Sequence, residues 1–250
     1  MTTFKMKIIN WFYSLQKTGL TKLNSYFYQY TGGQSRPVFF NIEKTCPELL
    51  EFDRNFEAIQ QELVSILPQK ENIPRYYDVD QLQSYISGGI DTSENGWKTG
   101  WKVFMLYLMG LNVAANQQLC PQTTAILKKI PNLYQAFFSI LDPGKSIVQH
   151  KGPFLGYIRY HLALKVPEDN PPVLNIKDQR YCWEEGKSVL FDDTWSHDVQ
   201  NNSRDLRVVL IVDILRPMPF VPHMVNQCVS RLFIKNLYGK KIYNNLKKHE

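Results

Sequence analysis

His150 closes a strand-like run at His150-Lys151-Gly152-Pro153, and His197 ends Asp192-Asp193-Thr194-Trp195-Ser196-His197. Arg207 follows inside the apolar stretch Leu206 to Val212. Neutral imidazole is a ligand for iron, zinc, copper and nickel, and guanidinium is the side chain best shaped to grip a carboxylate through two parallel hydrogen bonds. Two histidines sharing one ion, with a cation beside them for an acidic ligand, is therefore the chemistry these residues point to. Structural use is the competing reading, since a lone pair of distant histidines is more often packed than ligating. For Arg207 the competing reading is an ion pair with Asp205 or Asp213. A charge in so apolar a strand needs a buried partner, and a ligand carboxylate would supply one.

The elements that must position these groups change character at Ser139, from helical to strand period. Before it, Leu49, Leu50, Phe52, Phe56, Ile59, Leu63 and Ile66 recur at threes and fours and predict a helix over Pro47 to Leu67. Trp101 to Leu111 reads as a buried strand, Pro121 to Lys129 as a helix opened by proline, and Pro131 to Phe138 as a second short helix. Beyond it, Ile147 to His150 is a short strand after the Asp142-Pro143-Gly144 turn. Tyr157 to Val166 alternates, which puts Tyr157, Arg159, His161, Ala163 and Lys165 on one face and Ile158, Tyr160, Leu162, Leu164 and Val166 on the other. Trp183 to Lys187 is a glycine-containing turn and Val189 to Phe191 a further strand. A hairpin centred near Asn202 would set His197 across from Arg207. Short strands at this cadence, without crossover helices, predict an antiparallel sandwich or barrel.

Both ends are basic. Residues 4–15 mix apolar and basic side chains at helical spacing, suited to docking on the body or lying on an anionic membrane. After Arg216-Pro217 a helical pattern resumes and ends in Lys240, Lys241, Lys247 and Lys248, read as a solvated tail. With 250 residues, 44% hydrophobic and 21% charged, the chain can bury a sizeable core, which excludes a disordered protein. The net charge of +6 favours acidic partners without choosing among them. Cys46, Cys120, Cys182 and Cys228 show no C-x-x-C spacing, so neither a zinc knuckle nor a disulfide scaffold is signalled. The composition and ends fit a cytoplasmic protein, with contact to a membrane face as an option and no nucleic acid expected.

Taken in order, Phe138-Ser139-Ile140-Leu141-Asp142-Pro143-Gly144, His150-Lys151-Gly152-Pro153, Ile158-Arg159-Tyr160-His161-Leu162-Ala163-Leu164, Trp183-Glu184-Glu185-Gly186-Lys187, Phe191-Asp192-Asp193 with His197, and Arg207 with Val212-Asp213 and Arg216-Pro217 closely resemble the aspartyl/asparaginyl beta-hydroxylase family. The resemblance spans roughly residues 120–217. It implies a mainly β chain with flanking helices, on a double-stranded β-helix, or jelly roll, core. The expected division is an N-terminal helical and strand region (1–120) packing on the core, the catalytic core (121–220) and a basic C-terminal helix (221–250).

The resemblance further implies a dioxygenase that hydroxylates an unactivated C–H bond with O2, using Fe(II) held by His150 and His197 and 2-oxoglutarate as cosubstrate. Arg207 and Ser139 would clamp the distal carboxylate of 2-oxoglutarate, and Arg159 and His161 would bind its other end or the substrate. Many such oxygenases carry a carboxylate ligand two residues after the first histidine, where this chain has Gly152. That glycine is similar to the aspartyl hydroxylase branch, while Pro153-Phe154-Leu155-Gly156 and the Gly96-Trp97-Lys98 region look more like the lipid A hydroxylase branch. Asp193 is then a group that hydrogen-bonds a metal-bound water, or a turn residue. Trp183 and Trp195 line the substrate mouth or pack against the sheet. The substrate stays open between an Asp or Asn side chain, in a peptide or as an amino acid, and a lipid acyl chain. Two alternatives remain: a non-catalytic jelly-roll module that binds carboxylates, and a structural zinc site.

Overall fold

The computed structural model describes residues 18–80 and 100–248. The basic stretch 4–15, nearly all of the 87–100 loop and His249 lie outside them. In chain order the strands are β1 (Phe39–Phe40), β2 (Trp101–Leu108), β3 (Leu111–Asn112), β4 (Leu133–Leu141), β5 (Ile147–His150), β6 (Tyr157–Lys165), β7 (Val173–Ile176), β8 (Gln179–Cys182), β9 (Ser188–Phe191), β10 (His197–Gln200) and β11 (Arg207–Leu215). They form a seven-stranded sheet in the order β1-β9-β6-β11-β4-β2-β3 and a four-stranded sheet in the order β5-β10-β7-β8. The strand pairs are antiparallel throughout the described residues. From β4 to β11 the chain passes back and forth between the sheets, and this winding is the double-stranded β-helix.

The large sheet has two different faces, and its strands alternate accordingly. Phe137, Leu141, Tyr157, Ala163, Val209 and Ile211 point between the sheets, where they meet Leu174, Ile176 and Val199 of the small sheet. Phe138, Ile140, Ile158, Leu162, Leu210 and Val212 point the other way, against helices. Helices α1 (18–28), α2 (Ile42–Thr45), α3 (Leu50–Arg54), α4 (Phe56–Ile66) and α5 (Tyr76–Val79) precede β2. Between β3 and β4 lie α6 (Ala114–Leu119) and α7 (Pro121–Leu127). Leu49, Phe52, Ile59, Leu63, Ile126 and Leu127 from this group cover the outer face of the large sheet. Ile158, Tyr160, Leu162 and Leu164 of β6 fall on the outer face and Tyr157 and Ala163 on the inner one, as the period requires. Val166, just past the strand end and beyond a register shift near Leu164, packs with the inner set instead of the outer.

Three expectations from sequence need correction. Pro131 to Phe138 is not helical: β4 begins at Leu133 and lies between β2 and β11 in the sheet centre. β4 is buried on both faces and apolar apart from Gln135 and Ser139, which blurs the alternation that would have marked it. The predicted helix over Pro47 to Leu67 is divided, a 3-10 turn at Pro47–Leu49 leading to α3, and Asn55 leaving helical geometry before α4. His197 and Arg207 are not hairpin partners. His197 pairs with His150 and Ile176 in the small sheet, and Arg207 with Leu141 in the large one. Asn201 and Ser203 are buried in the link between them, Asn201 donating to the Asp142 carbonyl at 3.1 Å and Ser203 to the Asp205 carbonyl at 2.8 Å. These bonds carry the chain from one sheet to the other instead of turning it back.

The C-terminal segment is also no solvated tail. It runs through α8 (Phe220–Cys228), a π-helical stretch (Val229–Gly239) and α9 (Lys240–Leu246). Pro222, Asn226, Ser230, Ile242 and Leu246 are buried against the body. No helix among the described residues is long and apolar enough to cross a membrane.

Candidate active site

His150 is the last residue of β5 and His197 the first of β10, and antiparallel pairing sets them directly opposite each other. Side chains at such positions are neighbours on one face of a sheet, and here the ring centroids are 4.1 Å apart. Each ring uses Nδ1 on a backbone carbonyl two residues earlier, Val148 for His150 and Trp195 for His197, both at 2.9 Å. An Nδ1–H donated to a carbonyl leaves Nε2 as the lone-pair nitrogen, the tautomer a metal ligand requires. Burial and the neighbouring imidazole hold His150 well below the ordinary histidine range, and burial pushes His197 down to about 4. Both rings are therefore neutral at physiological pH.

No group of three or more His, Cys, Asp and Glu side chains able to hold a metal is found among the described residues, so the imidazoles act as a pair. Gly152, where a third ligand would stand, is backed by Asp193. The Gly152 amide donates to the Asp193 carbonyl at 2.8 Å, and a Cβ on Gly152 would come within 2.6 Å of the Asp193 carboxyl carbon. The Asp193 carboxylate fills the space that any side chain at 152 would need. Its Oδ2 accepts from Tyr157 Oη at 2.9 Å and faces Arg159 Nη1 at 3.1 Å, while Oδ1 is buried without a partner among the described residues. The plain turn role belongs instead to its neighbour Asp192, which bonds the Thr194 amide and pairs with Arg36 and Arg216, both at 2.8 Å.

The inward face of the large sheet carries the other site residues. Arg207 is buried and has no carboxylate against it among the described residues. Nη1 donates to Ser139 Oγ at 3.3 Å, the guanidinium lies 4.3 Å over the Trp183 ring, and Nε has no acceptor. Burial without a counter-ion pushes Arg207 down to about 9. Ser139 Oγ also accepts from Trp101 Nε1 at 2.9 Å. Beside them, both ring nitrogens of His161 and Nε1 of Trp183 are buried without partners, and the two rings stack at 5.9 Å. Buried donors are almost always satisfied, so a cluster of orphaned ones around a lone guanidinium marks a place for an anion from outside the chain. A carboxylate fits it.

Arg159 differs from its expected role. Nε and Nη2 grip Asp213 in a two-bond fork, both at 2.8 Å, and Nη1 faces Asp193. Burial alone would depress its pKa, but the Asp213 and Asp193 carboxylates more than reverse that and raise it well above the ordinary value. Burial lifts Asp213 to about 6. Arg159 thus holds Asp193 in place, with its fork already spent on Asp213. Asp213 is therefore the partner of Arg159, not of Arg207. Trp183 lies fully buried beneath Arg207 and does not line the mouth, while Trp195 is stacked between Arg36 at 3.6 Å and Lys177 at 4.1 Å. Tyr157 and Trp101 received no site role from sequence. The alternation of β6 put Tyr157 on the face of Arg159, and nothing in the sequence singled out Trp101.

The sequence profile described as "Aspartyl/Asparaginyl beta-hydroxylase" matches residues 53–217. The chain belongs to this family. The "Ornithine lipid ester-linked acyl 2-hydroxylase" of Rhizobium tropici is 33% identical over an alignment spanning 100% of this chain and 82% of that protein. The "Aspartyl/asparaginyl beta-hydroxylase" of Homo sapiens is 26% identical over 76% of this chain and 24% of its own length. Against a Xenopus tropicalis relative, "Aspartate beta-hydroxylase domain-containing protein 2", identity is 28% and the alignment spans 56% of that protein. Among solved structures, the cupin_2 domain of an XRE family transcriptional regulator from Enterobacter cloacae aligns at a TM-score of 0.33 and 13% identity, over 48% of this chain and 100% of that one. Family membership makes hydroxylation the reaction class of this protein, and the β-hydroxylase profile extends upstream of the words that carried the resemblance, to residue 53 in α3.

Proposed function

We propose that this hydroxylase is an Fe(II)- and 2-oxoglutarate-dependent dioxygenase acting on the acyl chain of a membrane lipid. The observation that carries the cosubstrate is the buried Arg207 guanidinium with no carboxylate beside it among the described residues. His150 and His197 would hold the iron through Nε2, and Arg207 with Ser139 would hold the distal carboxylate of 2-oxoglutarate. Ser139 Oγ already accepts from Trp101 and Arg207, which leaves its own proton to donate to that carboxylate. His161, neutral because burial and the Arg207 charge depress its pKa, offers one N–H to the same anion. Iron, 2-oxoglutarate and O2 would together supply the chemistry: O2 is the oxidant, one of its oxygen atoms entering the C–H bond and the other entering succinate as 2-oxoglutarate is oxidised to succinate and carbon dioxide. Asp193 would hydrogen-bond solvent on the open side of the metal through its unpartnered Oδ1, with Arg159 and Tyr157 fixing its other oxygen.

Two observations favour a lipid over an acidic side chain as substrate. Arg159, the cation beside Asp193, is already paired with Asp213, so a substrate Asp carboxylate would have to share it, whereas an acyl C–H needs no cation. The relative matched along the whole chain is named for an ester-linked acyl chain. The test combines iron and 2-oxoglutarate binding by calorimetry with succinate release in the presence of acylated lipids or Asp-containing peptides. His150→Ala and His197→Ala are expected to abolish iron binding while 2-oxoglutarate affinity falls less. Retained iron binding in both variants would sink the assignment. Succinate coupled to peptide but not lipid would return the substrate to the β-hydroxylase type, and 2-oxoglutarate binding without turnover on either would indicate a non-catalytic module.

A further inference from the structure

The C-terminal helix is built on a repeat of four. Pro222, Asn226, Ser230, Ile242 and Leu246 are buried, with Ile234 and Tyr238 half-buried at the intervening steps. Phe220, Met224, Cys228, Leu232, Asn236, Lys240, Asn244 and Lys248, at the same spacing, are all exposed. An α-helix turns in 3.6 residues, so a four-residue repeat would spiral around it over this length. The π-helical stretch from Val229 to Gly239, with its wider turn, takes up the difference and keeps one stripe facing outward from end to end. That stripe is apolar first and basic after. Phe220 is 79% exposed, Val221 62%, Leu232 61%, Phe233 59% and Leu237 50%, and no described residue covers them.

The charge beside this apolar stripe has one sign. From Pro217 to Lys248 the chain contains six Lys and Arg residues and no Asp or Glu. On the flank, Arg231 and Lys235 join Lys128 in lining a cavity of about 510 Å³ that contains no acidic side chain. Such a surface has an anionic counterpart with an apolar interior. We infer that the outward face of residues 220–248 is a docking surface for an anionic lipid bilayer, with Phe220, Leu232, Phe233 and Leu237 entering the acyl boundary and Arg231, Lys240 and Lys248 meeting the headgroups.

The inward face ties this surface to the candidate site. Asn226 Nδ2 donates to the Gly156 carbonyl at 2.7 Å, in the short link that joins His150 to β6. Tyr238 donates to Asp80, and Asn245 Nδ2 donates to the Val79 carbonyl at 3.2 Å. Docking through this helix holds the loop after the first imidazole at the membrane, where an acyl substrate resides. The inference rests on the lipid reading for its purpose, but its test does not.

The full chain is sedimented with vesicles of phosphatidylcholine alone or with phosphatidylglycerol, without iron, cosubstrate or substrate. Binding is expected to require phosphatidylglycerol and to weaken with salt. Leu232→Ser/Phe233→Ser is expected to lower the fraction bound about tenfold or more, and Lys240→Ala/Lys248→Ala severalfold, both with unaltered thermal melts. Binding equal on both vesicle types, or unaffected by the Leu232/Phe233 change, overturns the proposal; the latter would assign the membrane contact elsewhere, residues 1–17 included. Concentration-dependent dimerisation that the same variant abolishes, with no vesicle binding, overturns it in favour of a second copy of the chain. Succinate release with a short-chain, freely soluble acyl substrate is expected to be unchanged in the Leu232/Phe233 variant. Vesicle binding without any turnover would leave the docking surface standing while the lipid hydroxylase reading fails.

Discussion

Arg159 and Arg207 project from adjacent strands into the same interior, and their surroundings are opposite. Arg159 is locked by Asp213 through two bonds and faces Asp193 as well. Arg207 meets a hydroxyl, an indole face and no carboxylate among the described residues. Both guanidiniums are buried, so burial does not distinguish them; the counter-ion does. A buried charge whose partner belongs to the chain serves the fold, whereas one whose partner is missing is completed by something that binds. By that criterion the interior is divided into a finished structural cluster that aims Asp193 and an unfinished one, which the proposed function fills with a diacid.

The sharpest way to break the comparison is to remove each guanidinium in turn. Arg159→Met strands two buried carboxylates, and breaking a buried pair in this way costs about 3–5 kcal/mol of stability. That loss is expected in a denaturant midpoint, and Arg159→Met/Asp213→Leu, which removes both members, is expected to regain most of it. If the double variant is no better than the single one, the pair is not what makes Arg159 necessary. Arg207→Met has no partner to strand, so apo stability is expected not to fall. The KM for 2-oxoglutarate is expected to rise about a hundredfold or more, since two charge-assisted hydrogen bonds at about 1.5–3 kcal/mol each are lost. Unaltered 2-oxoglutarate affinity would show that Arg207 is a second structural cation.

Asp193 links these clusters to the paired imidazoles of His150 and His197, and Gly152 tests its position. Gly152→Ala introduces a Cβ into the space of the Asp193 carboxyl group, an overpacking expected to cost about 1–3 kcal/mol. Adding Asp193→Ala is expected to restore the melting temperature without restoring turnover. A Gly152→Ala variant as stable and active as the parent would mean that Asp193 moves aside freely and is not held where the structure has it.

How much of this was legible beforehand depends on whether the signal is local. The inward set of β6 was readable because one face of that strand is mixed with Arg159 and His161 and the other is wholly apolar. β4 was not, because both its faces are buried and an apolar run without alternation does not reveal its period. Asn201 to Ser203 has the composition of a hairpin turn, and only the buried bonds of Asn201 and Ser203 to Asp142 and Asp205 show it to be a passage between sheets. The pairing of His197 with His150 is a contact between distant segments, reached through the family resemblance and not through spacing. The opposite fates of Arg159 and Arg207 were hidden for the same reason: sequence shows a charge in an apolar strand, but the counter-ion of each is set by which strands lie side by side.

Ser139 gives the finest test of the unfinished cluster. Its hydroxyl receives Trp101 and, at a long 3.3 Å, Arg207, so it contributes little to holding the guanidinium and more as a donor toward an incoming carboxylate. Ser139→Ala should remove that one donor and leave the charge of Arg207 untouched. The expected effect is about 1 kcal/mol, or about fivefold in KM for 2-oxoglutarate, with kcat unchanged. Trp101→Phe is the control that separates orientation from contact: it frees a lone pair on Ser139 but leaves the proton in place, so its effect on KM should be smaller. A fall in kcat with constant KM in Ser139→Ala would move this hydroxyl out of the clamp and toward the reacting end of the site, and the division between a closed and an open guanidinium would then rest on Arg207 alone.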